Sequence, residues 1–332
     1  MDSLPAPPIE LLDLVSGYQR SKTLFALIEF KLPTLLSQRP LTREEIADRL
    51  GLDPFAADSL LNACIALNLL TRDGATYRNA PISEEFLVEG KPTYLGDQFA
   101  SYDLTSYPRW AELTEHLRQW RRGATDQAQP PEADQGQYGM RARHNQSLLV
   151  GHALAQAYDF SSHQLMLDLG GGTGAMTLGI CAHHARLRSL IYDLPSVAAL
   201  AAEYIGASAC AERVEIVAGN FKLDELPEGF DVALLANLLS VASEETNRKL
   251  FRQIYERLPI GGSIILSGYI LNDDRISPLI PVLFSLQDII WQAPDVEHDV
   301  ATYSRWLADA GFVELEHRAY CPPTSLLLGR KR

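Results

Sequence analysis

A run of glycines and a later aspartate are the residues of this sequence best suited to bind a ligand. The segment Asp168-Leu-Gly-Gly-Gly-Thr-Gly174 follows an apolar stretch and precedes a helical one. Glycines allow a tight turn and a close approach of backbone to ligand. Asp193 ends the next apolar stretch, where a carboxylate can accept hydrogen bonds from ribose hydroxyls. A plain tight turn and a helix cap are the structural alternatives for the two features.

The charge of Asp168 and the residues at the end of the third apolar stretch indicate which ligand the glycine run and Asp193 could bind. Asn220 could pair with the edge of an adenine and Phe221 could cover its face, although a plain turn with a buried Phe fits the same residues. Asp168 disfavours a pyrophosphate at the glycines and suits an ammonium group. A nucleoside with an amino-acid tail matches that charge, and S-adenosylmethionine is such a ligand.

Alternating strands and helices must position these residues. The helical stretches fall near 175–184, 196–205 and 244–258. The strands between them are predicted at 165–169, 190–192, 214–217, 232–235 and 263–266. This order indicates a parallel sheet with helices on both faces. The segments 312–317 and 325–328 add an antiparallel edge hairpin.

The first hundred residues have a different, mainly helical pattern. Thr42-Arg-Glu-Glu45 is a capping box that opens a helix ending at Gly51. A third helix is predicted at 55–70, and Asp73-Gly74 marks a hairpin. Three helices followed by a hairpin indicate a winged helix.

The two patterns divide the chain into two domains. We expect a helix from Trp110 to Trp120 and a loop in the polar, Gly- and Pro-rich stretch that follows. The predicted divisions are a winged-helix domain at 1–121, a linker at 122–137 and the ligand-binding domain at 138–332.

Composition restricts the class of protein. The chain of 332 residues is 46% hydrophobic, which suits a globular protein with a core. Its net charge of −13 disfavours a nucleic-acid partner. The apolar runs are too short for a membrane helix, no leader is evident, and four scattered cysteines favour a reducing cytoplasm without a structural metal.

Several motifs together resemble the small-molecule O-methyltransferases of the caffeate, hydroxyindole and bacterial tailoring type. Besides the glycine motif, they are Leu41–Ala47, Tyr77–Asn79, Tyr94–Gly96, Asp193-Leu-Pro195, Gly219–Phe221, Leu258–Gly262 and Trp306–Phe312. The resemblance implies an α/β fold: a Rossmann-like class I methyltransferase sheet of seven strands whose last hairpin is antiparallel, with an N-terminal winged-helix dimerisation domain. It also implies a homodimer through that domain, S-adenosylmethionine as cofactor with S-adenosylhomocysteine as product, and a small-molecule acceptor between the domains.

The resemblance and the residue types together give the expected contacts. For the cofactor we expect Asp168, Gly170, Gly172, Gly174, Asp193, Leu194, Asn220, Phe221, Asn237, Tyr138 and Ser147. For the acceptor we expect Tyr102, Tyr107, Phe284, Gln287 and Trp291, the last three on a helix with Asp288 that forms a pocket wall in the family. Helical spacing of these aromatic groups also suits a plain core.

The sequence departs from the family where a catalytic histidine is usual. Ser240 occupies that position, and a neutral serine does not act as a base near pH 7 without activation. His144 is the candidate for a displaced base, with an exposed or capping histidine as the alternative. His183 and His184 are interpreted as structural, and His298, between two acidic residues, as part of a solvated loop.

The expected activity is methyl transfer by proximity and desolvation, to an acceptor that does not need the histidine. Thioether sulfur, activated carbon and an acidic oxygen meet that condition. An enzyme that binds S-adenosylmethionine without transferring its methyl, such as a hydroxylase, decarboxylase or pericyclase, is the alternative. A winged-helix DNA-binding regulator is a third hypothesis, disfavoured because 53–70 contains acidic residues but no Lys or Arg.

Overall fold

The computed structural model describes residues 8–122 and 133–332. They form two compact units, which divide between Pro108 and Arg109. Most of the predicted linker, 122–137, lies outside the described residues. The long helix that follows begins at Ala133, inside the predicted linker.

The first unit combines seven helices with a small antiparallel sheet. The helices are α1 (Ile9–Val15), α2 (Gly17–Glu29), α3 (Leu32–Gln38), α4 (Arg43–Leu50), α5 (Pro54–Ala66), α6 (Pro81–Phe86) and α7 (Gly96–Ser101), among the described residues. The strands β1 (Leu41–Thr42), β2 (Leu70–Asp73) and β3 (Thr76–Asn79) pair in the order β1-β3-β2. A π-helical turn at Tyr102–Ser106 leads into α8 (Tyr107–Trp110).

Local signals in the first unit are largely confirmed. The Thr42 side chain accepts the Glu45 N–H and the Glu45 carboxylate accepts the Thr42 N–H, which is the predicted capping box. The hairpin pairs Asp73 with Thr76 as expected. The third helix is shorter than predicted, because Asn68 adopts a left-handed φ of 57° and Leu70 begins a strand.

The second unit is built on a seven-stranded sheet. Its strands are β4 (Leu165–Leu169), β5 (Arg188–Asp193), β6 (Val214–Ala218), β7 (Val232–Ala236), β8 (Ser263–Gly268), β9 (Val313–Cys321) and β10 (Thr324–Arg330). Their order is β6-β5-β4-β7-β8-β10-β9 among the described residues. The first five are parallel, and β10 runs antiparallel between β8 and β9. The predicted sheet and its antiparallel hairpin are confirmed.

Helices cover both faces of this sheet. The helices of this unit are α9 (Leu113–Gln119), α10 (Ala133–Ala157), α11 (Ala175–His183), α12 (Pro195–Gly206), α13 (Glu244–Arg257), α14 (Leu279–Ile290) and α15 (Val300–Ala310). Alternate residues of β4 point to opposite faces. Leu167 and Leu169 join the core that holds Trp306, whereas Met166 joins the core under α10 and α11.

The predicted helix from Trp110 to Trp120 is wrong at its start. α8 ends at Trp110, and a turn closed by the Glu112 N–H and the Arg109 carbonyl (3.0 Å) separates it from α9. None of the described helices is long and apolar enough to cross a membrane.

Candidate active site

The glycine loop connects the carboxyl end of β4 to α11. Gly170, Gly172 and Gly174 all have φ values between 58° and 76°, a region that L side chains rarely adopt. A Cβ on Gly174 would lie 2.7 Å from Ile191 Cδ1, so the loop packs tightly there. A Cβ on Gly172 would meet nothing within 4 Å, so this position is open to a ligand.

Asp193 ends β5 beside that loop. One carboxylate oxygen accepts the Gly172 N–H (2.9 Å) and the other accepts the Leu194 N–H (2.7 Å). Burial raises the pKa of Asp193, and the two backbone donors oppose that rise. The side chain stays partly exposed, as a group that receives ribose hydroxyls must be. Asp193 therefore both orders the loop and can bind a ligand.

Asp168 lies beneath the loop. It shares a face of β4 with Met166, so its side chain points toward α11, and Thr177 donates a hydrogen bond to Oδ2 (2.7 Å). It is fully buried, and its Oδ1 has no hydrogen-bond partner among the described residues. Burial raises its pKa to about 6. The contact with an ammonium stays a prediction. An unpaired acceptor under the loop is compatible with a ligand that brings a donor.

The backbone at the end of β6 packs closely against the Tyr192 side chain. A Cβ on Gly219 would lie 2.3 Å from the Tyr192 hydroxyl oxygen, so no side chain fits there. The Asn220 side-chain oxygen accepts the Lys222 N–H (3.0 Å), and its backbone N–H donates to Asp224 (2.8 Å). Phe221 packs on the edge of the core and is partly exposed. Asn220 thus orders a turn that presents Phe221.

Ser240 lies in a 3-10 turn after β7. The buried Asn247 side chain donates to the carbonyls of Leu239 (2.7 Å) and Ala242 (3.2 Å), which fixes this turn. Leu238 covers the glycine loop, because a Cβ on Gly170 would lie 2.6 Å from Leu238 Cδ1. Ser240 is partly exposed. It therefore occupies a fixed position near the loop.

Asn237, at the end of β7, is exposed and has a left-handed φ of 49°. Its backbone N–H donates to the Ser267 carbonyl of β8 (2.9 Å). Asn237 therefore lies at the carboxyl edge of the sheet, the side on which ligands bind in open α/β folds.

The residues predicted on α10 lie along that helix. His144 Nδ1 is 2.8 Å from Thr173 Oγ1 of the glycine loop, and its ring stacks on Tyr204 at 3.9 Å between centroids. Burial lowers the pKa of His144, which favours the neutral ring. Ser147 is partly exposed and Tyr138 is exposed. His144 is thus tied to the loop.

The predicted acceptor contacts fall in both units. In the second unit, Phe284 packs on Tyr269 (4.3 Å between centroids), and Gln287 accepts a hydrogen bond from the Trp110 indole (2.5 Å). Trp291 follows α14, is 39% exposed and lies under the Arg109 guanidinium. In the first unit, the Tyr102 hydroxyl accepts from Gln98 (2.8 Å) and Tyr107 contacts Phe25.

A buried acidic cluster at the end of α14 was missed as a site by sequence reasoning. Asp288 and Glu297 lie together there, and burial raises the pKa of both. The prediction for His298 is wrong: it is buried, bonds Asp295 (3.0 Å) and packs on Trp306, because residues after α14 fold back over the sheet. The only sequence signal was a carboxylate on the apolar helix α14.

Metal ligation has no support in the described part of the chain. No group of three or more His, Cys, Asp and Glu side chains there could hold an ion. His152 and His183 pair with each other at 3.1 Å, and His184 contacts the Ala155 carbonyl.

Family comparisons agree with this geometry. The sequence model of the O-methyltransferase domain matches residues 120–313, and that of the O-methyltransferase dimerisation domain matches residues 12–89. The chain belongs to the O-methyltransferase family of S-adenosylmethionine-dependent enzymes. The expectations for family and fold are confirmed.

Individual relatives span nearly the whole chain. The tetracenomycin polyketide synthesis 8-O-methyl transferase TcmO of Streptomyces glaucescens is 32% identical over 98% of this chain and 97% of its own length. The N,N-dimethyltransferase OxyT of Streptomyces rimosus is 31% identical over 94% of each. The crystal structure of human N-acetylserotonin methyltransferase in complex with SAM is 28% identical and has a TM-score of 0.86, covering 100% of this chain and 99% of that one.

Proposed function

We propose that this protein transfers a methyl group from S-adenosylmethionine to a small-molecule acceptor without a histidine base at position 240. One observation carries the proposal: the glycine loop and Asp193, at the carboxyl ends of β4 and β5, lie beside a fixed turn that contains Ser240. The first part supports cofactor binding and the second restricts the acceptor.

Five groups of the chain would bind the cofactor. The Asp193 carboxylate accepts the ribose hydroxyls, Asn220 donates to the adenine edge through its amide nitrogen, and Phe221 covers the adenine face. The open backbone at Gly172 admits the amino-acid tail. The unpaired Asp168 Oδ1 beneath the loop attracts the ammonium group of that tail by its charge.

The acceptor must react without an imidazole at this point. The bound cofactor supplies a methyl group already activated by the positive sulfur. What remains for the protein is to align the acceptor and exclude water. Ser240 is neutral, so it can orient an acceptor by a hydrogen bond but does not take up its proton at neutral pH.

Two kinds of acceptor satisfy this requirement. One is a nucleophile that needs no deprotonation, such as a thioether sulfur, an activated carbon or an already ionised oxygen. The other loses its proton to a different group of the protein. The relatives include an 8-O-methyl transferase and an N,N-dimethyltransferase by name, so both oxygen and nitrogen are reasonable acceptor atoms for this chain.

The functional protein would be a homodimer through its N-terminal domain. Residues 12–89 match the family's dimerisation domain. Leu11, Leu12, Leu14 and Val15 of α1 are each more than half exposed, an apolar surface suited to a partner subunit. Sedimentation of the purified chain tests this proposal, with Leu14→Asp expected to shift the population toward monomer.

Label transfer tests the main proposal. The protein is incubated with methyl-labelled S-adenosylmethionine and a small-molecule extract of its source, and products are read by mass spectrometry. A labelled product whose formation stops in Asp193→Ala is expected. Conversion of an extract compound without label, with the cofactor required but not consumed, would instead identify the non-transferring class of enzyme.

A further inference from the structure

Two acidic side chains at the end of α14 are buried against each other. Asp288 accepts the Glu297 N–H, and the Glu297 carboxylate accepts the Tyr303 hydroxyl (3.3 Å). Asp288 Oδ2 is inaccessible and has no hydrogen-bond partner among the described residues. Both residues as a whole nevertheless retain some contact with solvent. The pair is therefore deeply placed but not completely sealed from solvent.

The described charged groups around Asp288 and Glu297 do not neutralise the two carboxyl groups. Asp295, the third carboxylate, is paired with Arg122 (2.9 Å) and with His298 (3.0 Å). Burial opposes ionisation of Asp295, but its hydrogen bond and attraction to His298 lower its pKa. No described cation pairs with Asp288 or Glu297. Burial first, and repulsion between carboxylates second, raises the pKa of Asp288 to about 7 and that of Glu297 to about 8.

The pair lies at the carboxyl edge of the sheet. Phe284, one turn before Asp288 on the same face of α14, packs on Tyr269, which directly follows β8. Gly268 is so close to Asn237 that a Cβ there would lie 3.0 Å from its side-chain oxygen. The chain around 298–300 is hydrogen-bonded to Leu271 in the same region. Contacts therefore connect Asp288 to the end of β7, from which the turn with Ser240 starts.

We propose that Asp288, held against Glu297, accepts the proton of the acceptor and so supplies what residue 240 lacks. This inference rests on the proposed methyl transfer and specifies the acceptor as a weakly acidic O–H or N–H compound. The acceptor atom forms a bond to the methyl carbon as its proton passes to the Asp288 carboxylate. The carbon–sulfur bond breaks and its electron pair remains on sulfur, which becomes a neutral thioether. Sulfonium and carboxylate charges thus disappear together, which is favourable where water is excluded.

The groups that face Asp288 come from three directions. The loop after α14 contributes Glu297 and the Asp295–His298 pair with Arg122. α15 contributes the Tyr303 hydroxyl, whose pKa is raised by burial. α9 also packs against α14, and His116 is the titratable group in its last turn; no described interaction links His116 to Asp288.

Proton release on cofactor binding tests the placement of Asp288. S-adenosylmethionine and S-adenosylhomocysteine differ only by the methyl group and the positive charge on sulfur. A sulfonium close to Asp288 lowers the pKa of that carboxyl, so the first ligand should release about half a proton more than the second near pH 7. Calorimetry in buffers of different ionisation enthalpy measures this difference.

Variants make the measurement decisive. Asp288→Asn should abolish the difference in proton release, whereas Glu203→Gln, which removes an exposed carboxylate paired with Arg141, should retain it. Asp295→Asn removes the carboxylate whose charge repels Asp288 and should move the release to lower pH; it serves as the test if Asp288→Asn does not fold. Equal release by both ligands from pH 6 to 8 would overturn the proposal.

Kinetics separate this inference from the proposed function. With the acceptor found by label transfer, Asp288→Asn should lower kcat about 100-fold at constant KM for the cofactor. It should also remove the rise of kcat with pH around neutrality. Label transfer that is unaffected in Asp288→Asn would refute the role of Asp288 but leave methyl transfer intact. Absence of any label transfer would refute the proposed function instead.

Discussion

Two regions hold their carboxylates in opposite ways. One is the carboxyl end of β4 and β5 with Asp168 and Asp193, here called the nucleotide side of the sheet, and the other is the end of α14. At the nucleotide side, both oxygens of Asp193 accept backbone N–H groups, and Asp168 is fixed by Thr177. At the end of α14, Asp288 and Glu297 lie beside each other without a described cation. Fixed donors define a binding geometry, whereas unbalanced carboxylates retain protons near neutral pH. The first arrangement suits recognition and the second suits proton transfer.

The largest effect is expected from removing the fixed carboxylate. Asp193→Ala should weaken S-adenosylmethionine binding about 100-fold, since hydrogen bonds to a charged group contribute roughly 1.5–3 kcal/mol. Calorimetry measures the dissociation constant. Glu203→Ala is the matched control and should bind normally. Glu203 is an exposed carboxylate on the neighbouring helix α12, where it pairs with Arg141 of α10. Equal binding by Asp193→Ala would remove the distinction between the two regions.

The second largest effect is expected from introducing a histidine base at position 240. Ser240→His in the Asp288→Asn background should recover about 10- to 100-fold of the lost kcat, because an imidazole at residue 240 can accept the proton. Turnover of labelled cofactor measures the recovery. Ser240→Ala alone should stay within about threefold of wild type. A larger loss in Ser240→Ala would mean that the hydroxyl itself is needed for the reaction.

The acidic pair at the end of α14 should also make the stability of the protein depend on pH. Asp288 and Glu297 have raised pKa values in the folded state, so the folded protein binds more protons than the unfolded one. Their stabilising effect is complete below about pH 4 and is lost as pH rises through 7 to 8. Asp288→Asn should therefore be about 2 kcal/mol more stable than wild type at pH 9, relative to their difference at pH 5. Urea unfolding at both pH values measures this; parallel pH curves would contradict it.

The smallest effect is expected at His144. His144→Ala should change kcat less than about fivefold at pH 7.5, since the ring stabilises the loop through Thr173 by one hydrogen bond worth about 1 kcal/mol. Steady-state turnover measures it, with His152→Ala as the control on the same helix. A 100-fold loss in His144→Ala alone would make this histidine the base and overturn the division of roles.

The position of the residues on the nucleotide side could be predicted from the sequence because their signals are local; their contacts with the cofactor stay a prediction. The glycine motif, Asp193 and the strand segments are each readable from neighbouring residues, and the structure places them at one edge of the sheet. The capping box at Thr42 is local in the same way. Patterns of this kind require no knowledge of which distant segments pack together.

The acidic pair was not predictable because it depends on distant packing. The sequence placed Asp288 on the helix of the expected pocket wall without a partner, and it predicted a solvated His298 between Glu297 and Asp299. Only the fold-back of 295–299 over the sheet, through the bonds to Leu271, buries them together. The early end of α5 at Ala66 was likewise not predictable. It precedes Asn68, whose left-handed φ cannot be inferred from the spacing of apolar residues.

The contact between α10 and α11 has a consequence for how this protein could change its specificity. Gly151 and Gly179 bring the two helices together backbone to backbone: a Cβ on Gly151 would lie 2.6 Å from the Met176 carbonyl oxygen, and one on Gly179 would lie 2.6 Å from the Leu148 carbonyl oxygen. Neither helix can shift alone. Evolution can therefore vary the exposed side of α10 residue by residue while the glycine loop keeps its shape, and directed libraries should do the same, sparing these two positions.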